Sequence, residues 1–441
     1  MKQRNNNWIA LCACALASGI LPSGKLHAED LADTQRQLHL LQQQLRRQQA
    51  LIESLTKTVN QIQTATTQSS LEVQNFKTEV YENHSSGTSS SSFALNKVSI
   101  SGEGAVAFFK TGSEGMYPKG EFRLDEAKLF VEAPVWDDVY FFSELNLMTR
   151  EASDLSLKLG ETYLDVENLS KLWNSDRTLN VRLGRMYTPY GEEYLSRYAI
   201  DDPLISHSLS DLWAVDAGIE LYGKWNKLSY ALAVQNGSPS GVGDFSSDKS
   251  VAGRVSLDPT RWLHLSVSGM RTGDLKLPDD YWSSLWFANA WIVPLGSTNT
   301  TTYYANLVEG DLELRLPHGH LKAFGGFIRY DDDDSLASNR RDIYYYAVEA
   351  VHDISRKLYA GARFSQILVA NGYPIVGNGD MGQYLYGPYT DNLWRLSLGL
   401  GYRWNPNFIT KAEYTFERGK QVNGDKRNQE DLFAIQAAFK F

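Results

Sequence analysis

The stretch LFAIQAAFKF, residues 432–441, decides the fold. Phe433, Ile435, Ala437, Phe439 and Phe441 form one row, and Leu432, Ala434, Gln436, Ala438 and Lys440 form the other. Successive side chains of an extended strand point to opposite sides, so the segment presents one large apolar face and one that carries an amide and a cation. A slip of one residue would exchange the faces, which is why the register of such a strand is strongly specified. Upstream, Trp394, Leu396, Leu398, Leu400 and Tyr402 alternate with Arg395, Ser397, Gly399, Gly401 and Arg403. Val215, Ala217, Ile219 and Leu221 alternate in the same way with Asp216, Gly218, Glu220 and Tyr222. Rows of charge in a soluble core without partners carry a heavy desolvation cost. A wet interior avoids it.

Segments of this kind begin near residues 98, 121, 138, 158, 178, 214, 228, 248, 262, 301, 320, 341, 357, 391, 408 and 430. Their connections alternate between short, as in WNK (225–227), DPTR (258–261) and WNPN (404–407), and long, polar or Gly-rich, as at 188–213 and 271–300. Short turns on one rim and long loops on the other are what a transmembrane barrel requires. The expected fold class is therefore all-β: a transmembrane barrel of about sixteen antiparallel strands, wide enough to enclose a channel, preceded by an α-helical coiled-coil segment. An even strand number puts both barrel ends on the short-turn rim. The 24 Tyr, 18 Phe and 11 Trp, with low mean hydropathy (−0.37), suit strands that show every second residue to lipid. A soluble sandwich or propeller is the alternative, but it needs no such alternation of loop lengths.

At the other end, Lys2 and Arg4 precede an apolar run from Trp8 to Leu21 and the small-residue stretch ending at Ala28. This predicts a secretory signal peptide over 1–28. A membrane-anchoring helix is the weaker reading, because the run is shorter than the roughly 20 residues a span needs; a lipoprotein at Cys14 is weaker still. Cys12 and Cys14 are the only cysteines, so the mature chain has no disulfide or thiolate site. Losing Lys2, Arg4 and Lys25 makes the formal charge three units more negative than −9, which disfavours nucleic acid as a partner.

Leu31, Leu38, Leu45, Ile52, Val59, Thr66, Val73 and Val80 recur every seven residues, with Leu41, Leu55, Ile62 and Phe76 three further on. These are a and d positions of a coiled coil, and the spacing predicts one over 29–81 that associates with copies of itself. A single amphipathic helix packed against something else is the alternative. Residues 31–80 would make a rod of about 75 Å, joined by a Ser/Gly-rich linker (82–96) to a barrel over 97–441.

Residues 181–194, VRLGRMYTPYGEEY, run from the fifth segment into the third long loop. This resembles the phosphate-selective porin O and P family and related trimeric outer-membrane porins with an N-terminal periplasmic coiled coil. The terminal Phe441 resembles the C-terminal signal of bacterial outer-membrane barrels. The resemblance implies a homotrimer in the outer membrane, touching lipid and lipopolysaccharide, with the coiled coil in the periplasm. It also implies that the third loop, roughly Tyr187–Trp213, folds inward and narrows the pore; an ordinary solvated loop is the alternative. Constriction candidates in the loop are Glu192, Glu193, Arg197, Asp201 and Asp202, with His207 nearby; on the wall they are Arg182, Asp216, Glu220, Arg363, Arg395, Arg403, Lys411 and Glu413. Lys128, Arg254, Arg329, Glu126, Glu144, Glu309 and Glu349 are also assigned to inward rows, which are mixed in sign and lean acidic. The dense Arg and Lys ladders of phosphate-selective relatives are missing, so phosphate specificity is not carried over. Arg185 falls on the outward row, which requires a bulge or an approach to head groups.

The function expected is passive diffusion of small hydrophilic solutes or ions. The alternative is an outer-membrane structural protein whose rod tethers or spaces the membrane from the cell wall, with peptidoglycan as partner. No cofactor is expected. His318, His320 and the run Asp331–Asp334 read as solvated rather than metal-binding, and no nucleophile elbow, phosphate loop or zinc motif supports an enzyme.

Overall fold

Alternation along the chain becomes sixteen long strands: β1 Ser99–Thr111, β2 Glu121–Trp136, β3 Val139–Met148, β4 Lys158–Val166, β5 Asn180–Tyr187, β6 Val215–Trp225, β7 Leu228–Gln235, β8 Ser250–Thr260, β9 Leu263–Arg271, β10 Thr302–Leu316, β11 Gly319–Asp332, β12 Arg341–Asp353, β13 Leu358–Tyr373, β14 Thr390–Asn405, β15 Phe408–Gln421 and β16 Leu432–Lys440. Each begins within two residues of its expected start. Two further strands of two residues, Leu275–Lys276 and Lys426–Arg427, extend the sheet at the long-loop rim. The structure is a computed structural model and describes residues 98–150, 157–237, 248–276, 295, 298–336 and 339–441. The signal peptide, coiled coil and linker expected over 1–96 lie outside the described residues.

Sequential neighbours pair antiparallel throughout, and β1 closes the sheet on β16, from Glu103 opposite Lys440 to Thr111 opposite Leu432. Closure leaves no free edge, so every backbone polar group in the wall can be satisfied without water. Tight hairpins hold the short-turn rim. Asp138 and Asn226 take left-handed backbone (φ 57° and 58°) in two-residue turns, where the twist of the strands demands positive φ and Asn or Asp tolerates it. The longest short-rim connection, between β4 and β5, carries a 3₁₀ turn at Leu169–Trp173 bracketed by left-handed Asn168 and Asn174.

The two rows of each strand separate as the sequence requires. On β16, Phe433, Ile435 and Phe439 are exposed, whereas Ala434, Gln436 and Ala438 are at most 1% exposed. On β6, Ile219 and Leu221 face out and Glu220 and Tyr222 are buried. Trp136, Trp173, Trp225, Trp262 and Trp404, each more than half exposed, all stand at the short-turn rim. An outward apolar belt with aromatics at its margin is the surface of a barrel solvated by lipid. Among the described residues no helix is long and apolar enough to cross a membrane.

Three findings depart from the simple alternation. Arg329 is on the outward row, because Ile328 and Tyr330 beside it are fully buried; it pairs with Asp342 at 2.8 Å near the long-loop rim. The inward positions it was expected to share are apolar. Tyr303, Ala305, Ile328, Tyr330, Ile343, Tyr345, Ile367, Val369 and Leu393, from the long-loop half of β10–β14, form a core with Tyr190, Leu209, Leu212, Leu295 and Ile375 from the loops. The interior is thus part hydrophobic core, not a uniformly wet lumen. Arg185 keeps its outward position opposite Thr162, beside an irregularity in the β3–β4 register where Gly160 and Glu161 together face Glu144, and its Nε donates to the Gly160 carbonyl at 3.1 Å. A bulge supplies the acceptor.

Candidate functional site

Residues 188–214, between β5 and β6, hydrogen-bond to inward side chains from many sides of the wall. Lys411 and Glu413 are two residues apart on β15 and so share its inward face. Lys411 Nζ donates to the carbonyls of Ala199, Asp202 and Leu204 at 2.8, 3.0 and 2.9 Å. Glu413 accepts the backbone N–H groups of Ile205 and Ser206 and the Ser206 hydroxyl. One cation and one anion therefore satisfy both polarities of the backbone in an arch from Ala199 to Ser206, an irregular segment that could not be buried with those groups unmet.

Neighbouring strands extend the anchorage. Arg363 on β13 bonds Asp202 at 2.9 Å, the Ser206 carbonyl at 2.5 Å and Glu349. Arg395 on β14 reaches the His207 carbonyl, Asn378 and Glu417. Tyr359 donates to the Pro203 carbonyl, and Glu126 on β2 accepts from Ala199 N–H. At the other end of the loop, Glu192 meets His264 at 2.9 Å and Ser256 at 3.0 Å, while Arg254 donates to the Gly191 carbonyl and the Tyr194 hydroxyl. Burial pushes the Glu192 carboxyl up, but the hydrogen bond and charge of His264, with Arg254, outweigh it and hold it at about 2. Asp202 is likewise held below its usual range, by Arg363 and His207 against the effect of burial.

The remaining candidates divide into three groups. Glu193 and Arg197 bond within the loop: Glu193 accepts from Ser208, and Arg197 pairs with Asp211 and lies 4.5 Å from the Trp213 ring centre. Asp201 is half-buried in the turn where its N–H bonds the Tyr198 carbonyl. Arg182, Glu220 and Asp216 belong to the wall. Arg182 bridges Asp165 (2.9 Å) and Glu220 (3.0 Å) and lies 4.3 Å from the Tyr222 ring centre, while Asp216 accepts the Gly237 N–H. Arg403 is half-exposed at the short-turn rim, paired with Asp353 at 2.7 Å and 4.3 Å from the ring centre of Tyr359. Buried charges persist where partners and hydrogen bonds offset their desolvation, and Arg182, Arg363 and Arg395 each have a carboxylate partner.

His264, Ser268 and Tyr345 were not singled out from sequence. Ser268 accepts from Gly191 N–H, and the Tyr345 hydroxyl bonds both Tyr190 and Glu309. The alternation of His264, Ser266, Ser268 and Met270 with Leu265, Val267 and Gly269 would have placed the first two inward.

Beside the arch, toward the long-loop rim, lies a compartment of about 690 Å³ between residues 205–211, the start of β2, the end of β3 and the β13–β14 loop. Its rim is braced: Met116 N–H bonds the Asn378 carbonyl and Asp380 N–H the Glu114 carbonyl, tying the β1–β2 and β13–β14 loops together.

No family model matches the chain, and no curated protein does. Solved structures do resemble it. In-vitro folded OmpT, an outer membrane protein of Vibrio cholerae, superposes with a TM-score of 0.53 at 11% identity, covering 79% of this chain and 99% of that one. The outer membrane channel DcaP of Acinetobacter baumannii gives the same TM-score, identity and coverage. OprB of Pseudomonas putida gives 0.51 at 9% identity, covering 78% and 94%. At such identities the likeness is one of fold: a closed sixteen-stranded barrel of the outer-membrane kind.

Proposed function

We propose that this chain is an outer-membrane porin through which small hydrophilic solutes or ions diffuse passively, with the third loop narrowing the barrel. The observation that carries the reading is the closed sixteen-stranded wall, apolar outside, with a 690 Å³ compartment opening at its long-loop mouth. The channel named among the similar folds is consistent with it. Kinship with the phosphate-selective porin O and P superfamily rests most strongly on residues 181–194 and more weakly on strand count and turn rhythm, and phosphate selectivity does not follow. The loop's charges pair with the wall and with one another. Single-channel recording in a planar bilayer, with the reversal potential taken under a salt gradient, is the test. Stepwise currents support the reading, and properly folded protein that never conducts overturns it.

The chain is proposed to act as a homotrimer, with the heptads of 31–80 as one contribution to assembly and lipopolysaccharide around the outer rim. Crosslinking in mild detergent that yields only monomer would remove the trimer. A second reading is favoured by the density of pairing inside the barrel: a closed anchor whose rod reaches the cell wall. Retention on isolated peptidoglycan by protein that does not conduct would support it.

A further inference from the structure

The third loop is not alone inside the wall. Residues 374–378, the start of the β13–β14 loop, turn inward too, and Ile375 joins the buried cluster that contains Leu209. Their backbone is held as the arch is, by one anion and one cation. Asn378 N–H donates to Glu417 Oε1 at 2.7 Å, and Arg427 donates to the carbonyls of Ile375 and Val376 at 2.5 and 2.7 Å. The approach to Glu417 is made by a left-handed glycine, Gly377 (φ +62°), where a Cβ would collide with Glu417 Oε1. The third loop uses the same device at Gly191 (φ +64°), over Glu309 Oε1. Backbone this close to a buried carboxylate in this conformation requires glycine, so both seats are specified by the sequence.

Arg395 joins the two loops. Its Nη1 donates to the His207 carbonyl of the third loop at 2.9 Å, its Nη2 to Asn378 Oδ1 of the other at 2.9 Å, and its Nε to Glu417 at 2.7 Å. A guanidinium presents its donors in one rigid plane, so displacing either loop misdirects the bond to the other. The compartment of about 690 Å³ at the mouth is lined by both stretches, 205–211 and 374–378. We propose that residues 374–378 are a second constriction arm and that Arg395 is the positioning residue that makes this arm move with the third loop. The inference deepens the porin reading and rests on it for its effect on permeation, whereas the coupling of the two arms stands without it. The free cross-section at the mouth is then set by two seated loops, and loosening either one widens it.

The test is hydrogen exchange on the full chain in detergent, together with single-channel current and liposome swelling with arabinose and raffinose. Gly377→Ala puts a Cβ against Glu417 and an alanine in the left-handed region, which should quicken exchange across 374–378 about tenfold. The same variant should quicken exchange across 205–211, raise conductance and raise raffinose entry relative to arabinose. The Arg395→Lys background keeps a cation beside Glu417 but loses the planar fork. There, Gly377→Ala should leave the exchange of 205–211 where Arg395→Lys alone sets it. Asn378→Ala, which leaves the wall and the loop backbone in place, should also quicken both stretches, and it serves if Gly377→Ala does not fold. Quickening confined to 374–378 overturns the coupling. Quickening of both stretches that survives Arg395→Lys runs through the cluster of Ile375 and Leu209 and overturns the role of Arg395. Quickened exchange in a conducting barrel whose current and sugar entry stay unchanged overturns the second arm as part of the constriction. Wild-type protein that folds and never conducts overturns the porin reading and with it the constriction, while exchange still decides the coupling.

Discussion

Replacing Lys411 by alanine should free the arch without opening the wall. The ammonium group donates three hydrogen bonds, to Ala199, Asp202 and Leu204, and the residue is 2% exposed. Hydrogen bonds to a charged group contribute about 1.5–3 kcal/mol each, so the three amount to about 4.5 kcal/mol at the lower end. Part of this is returned, since the burial cost of the ammonium disappears and water enters the vacated space; about 3 kcal/mol remains, a factor of about 100 in the ratio of released to docked arch. Glu413, Arg363 and Tyr359 still hold the segment, so the variant should flicker rather than stay open. Hydrogen exchange across residues 199–206 should quicken by about that factor, and single-channel records should gain open-state noise. Lys171→Ala, which breaks an exposed pair with Asp138 at the short-turn rim, should change stability by less than about 1 kcal/mol and leave the exchange of the arch untouched. Unchanged exchange and unchanged noise in Lys411→Ala would refute the claim that this side chain holds the loop.

Three further outcomes are expected. Ile219→Arg puts a cation on the lipid face of β6, and the midpoint of refolding into vesicles should fall by an amount equivalent to about 2–4 kcal/mol; no loss would mean that this face is not in lipid. Gly184 has φ +141°, and a Cβ there would sit 2.4 Å from the Thr162 carbonyl oxygen, so Gly184→Ala should destabilise the barrel by about 1–3 kcal/mol in urea titration, with wild-type stability counting against the geometry. The Glu192 carboxyl has a folded value of about 2, below the roughly 4.3 of an unfolded chain. Its contribution to holding the loop is therefore complete above the unfolded value and is lost as pH falls through the folded one. Conductance noise from this anchor should stay flat from pH 7 to about 4.3 and rise below it, and a rise already complete at pH 5 would contradict the assignment.

Sixteen strand starts were legible because period-two patterning is written locally, as in Phe433 to Phe441 or Trp394 to Arg403. The interior was not. Arg329 looks like a lumen charge until Ile328 and Tyr330 are seen to belong to one buried apolar cluster with Leu209 and Ile375, residues distant in sequence. The constriction candidates were found as charges, but what each one does is set by a partner on another strand: Asp202 by Arg363, Glu192 by His264, and the carbonyls of 199–204 by Lys411. No spacing rule links such positions. Pairing across the barrel interior, unlike pairing along a strand, leaves no periodic trace.

That separation has a consequence in time. The groups that seat the arch, Lys411 and Glu413, lie more than 200 residues downstream of the backbone they hold, on the penultimate strand of a sheet that closes only when β16 meets β1. Contacts of such long range come after the chain between them is ordered. The third loop can therefore take its seat only near the end of assembly, so a barrel arrested before closure would be wide and unlatched, and the latch itself would report that the last seam has been made.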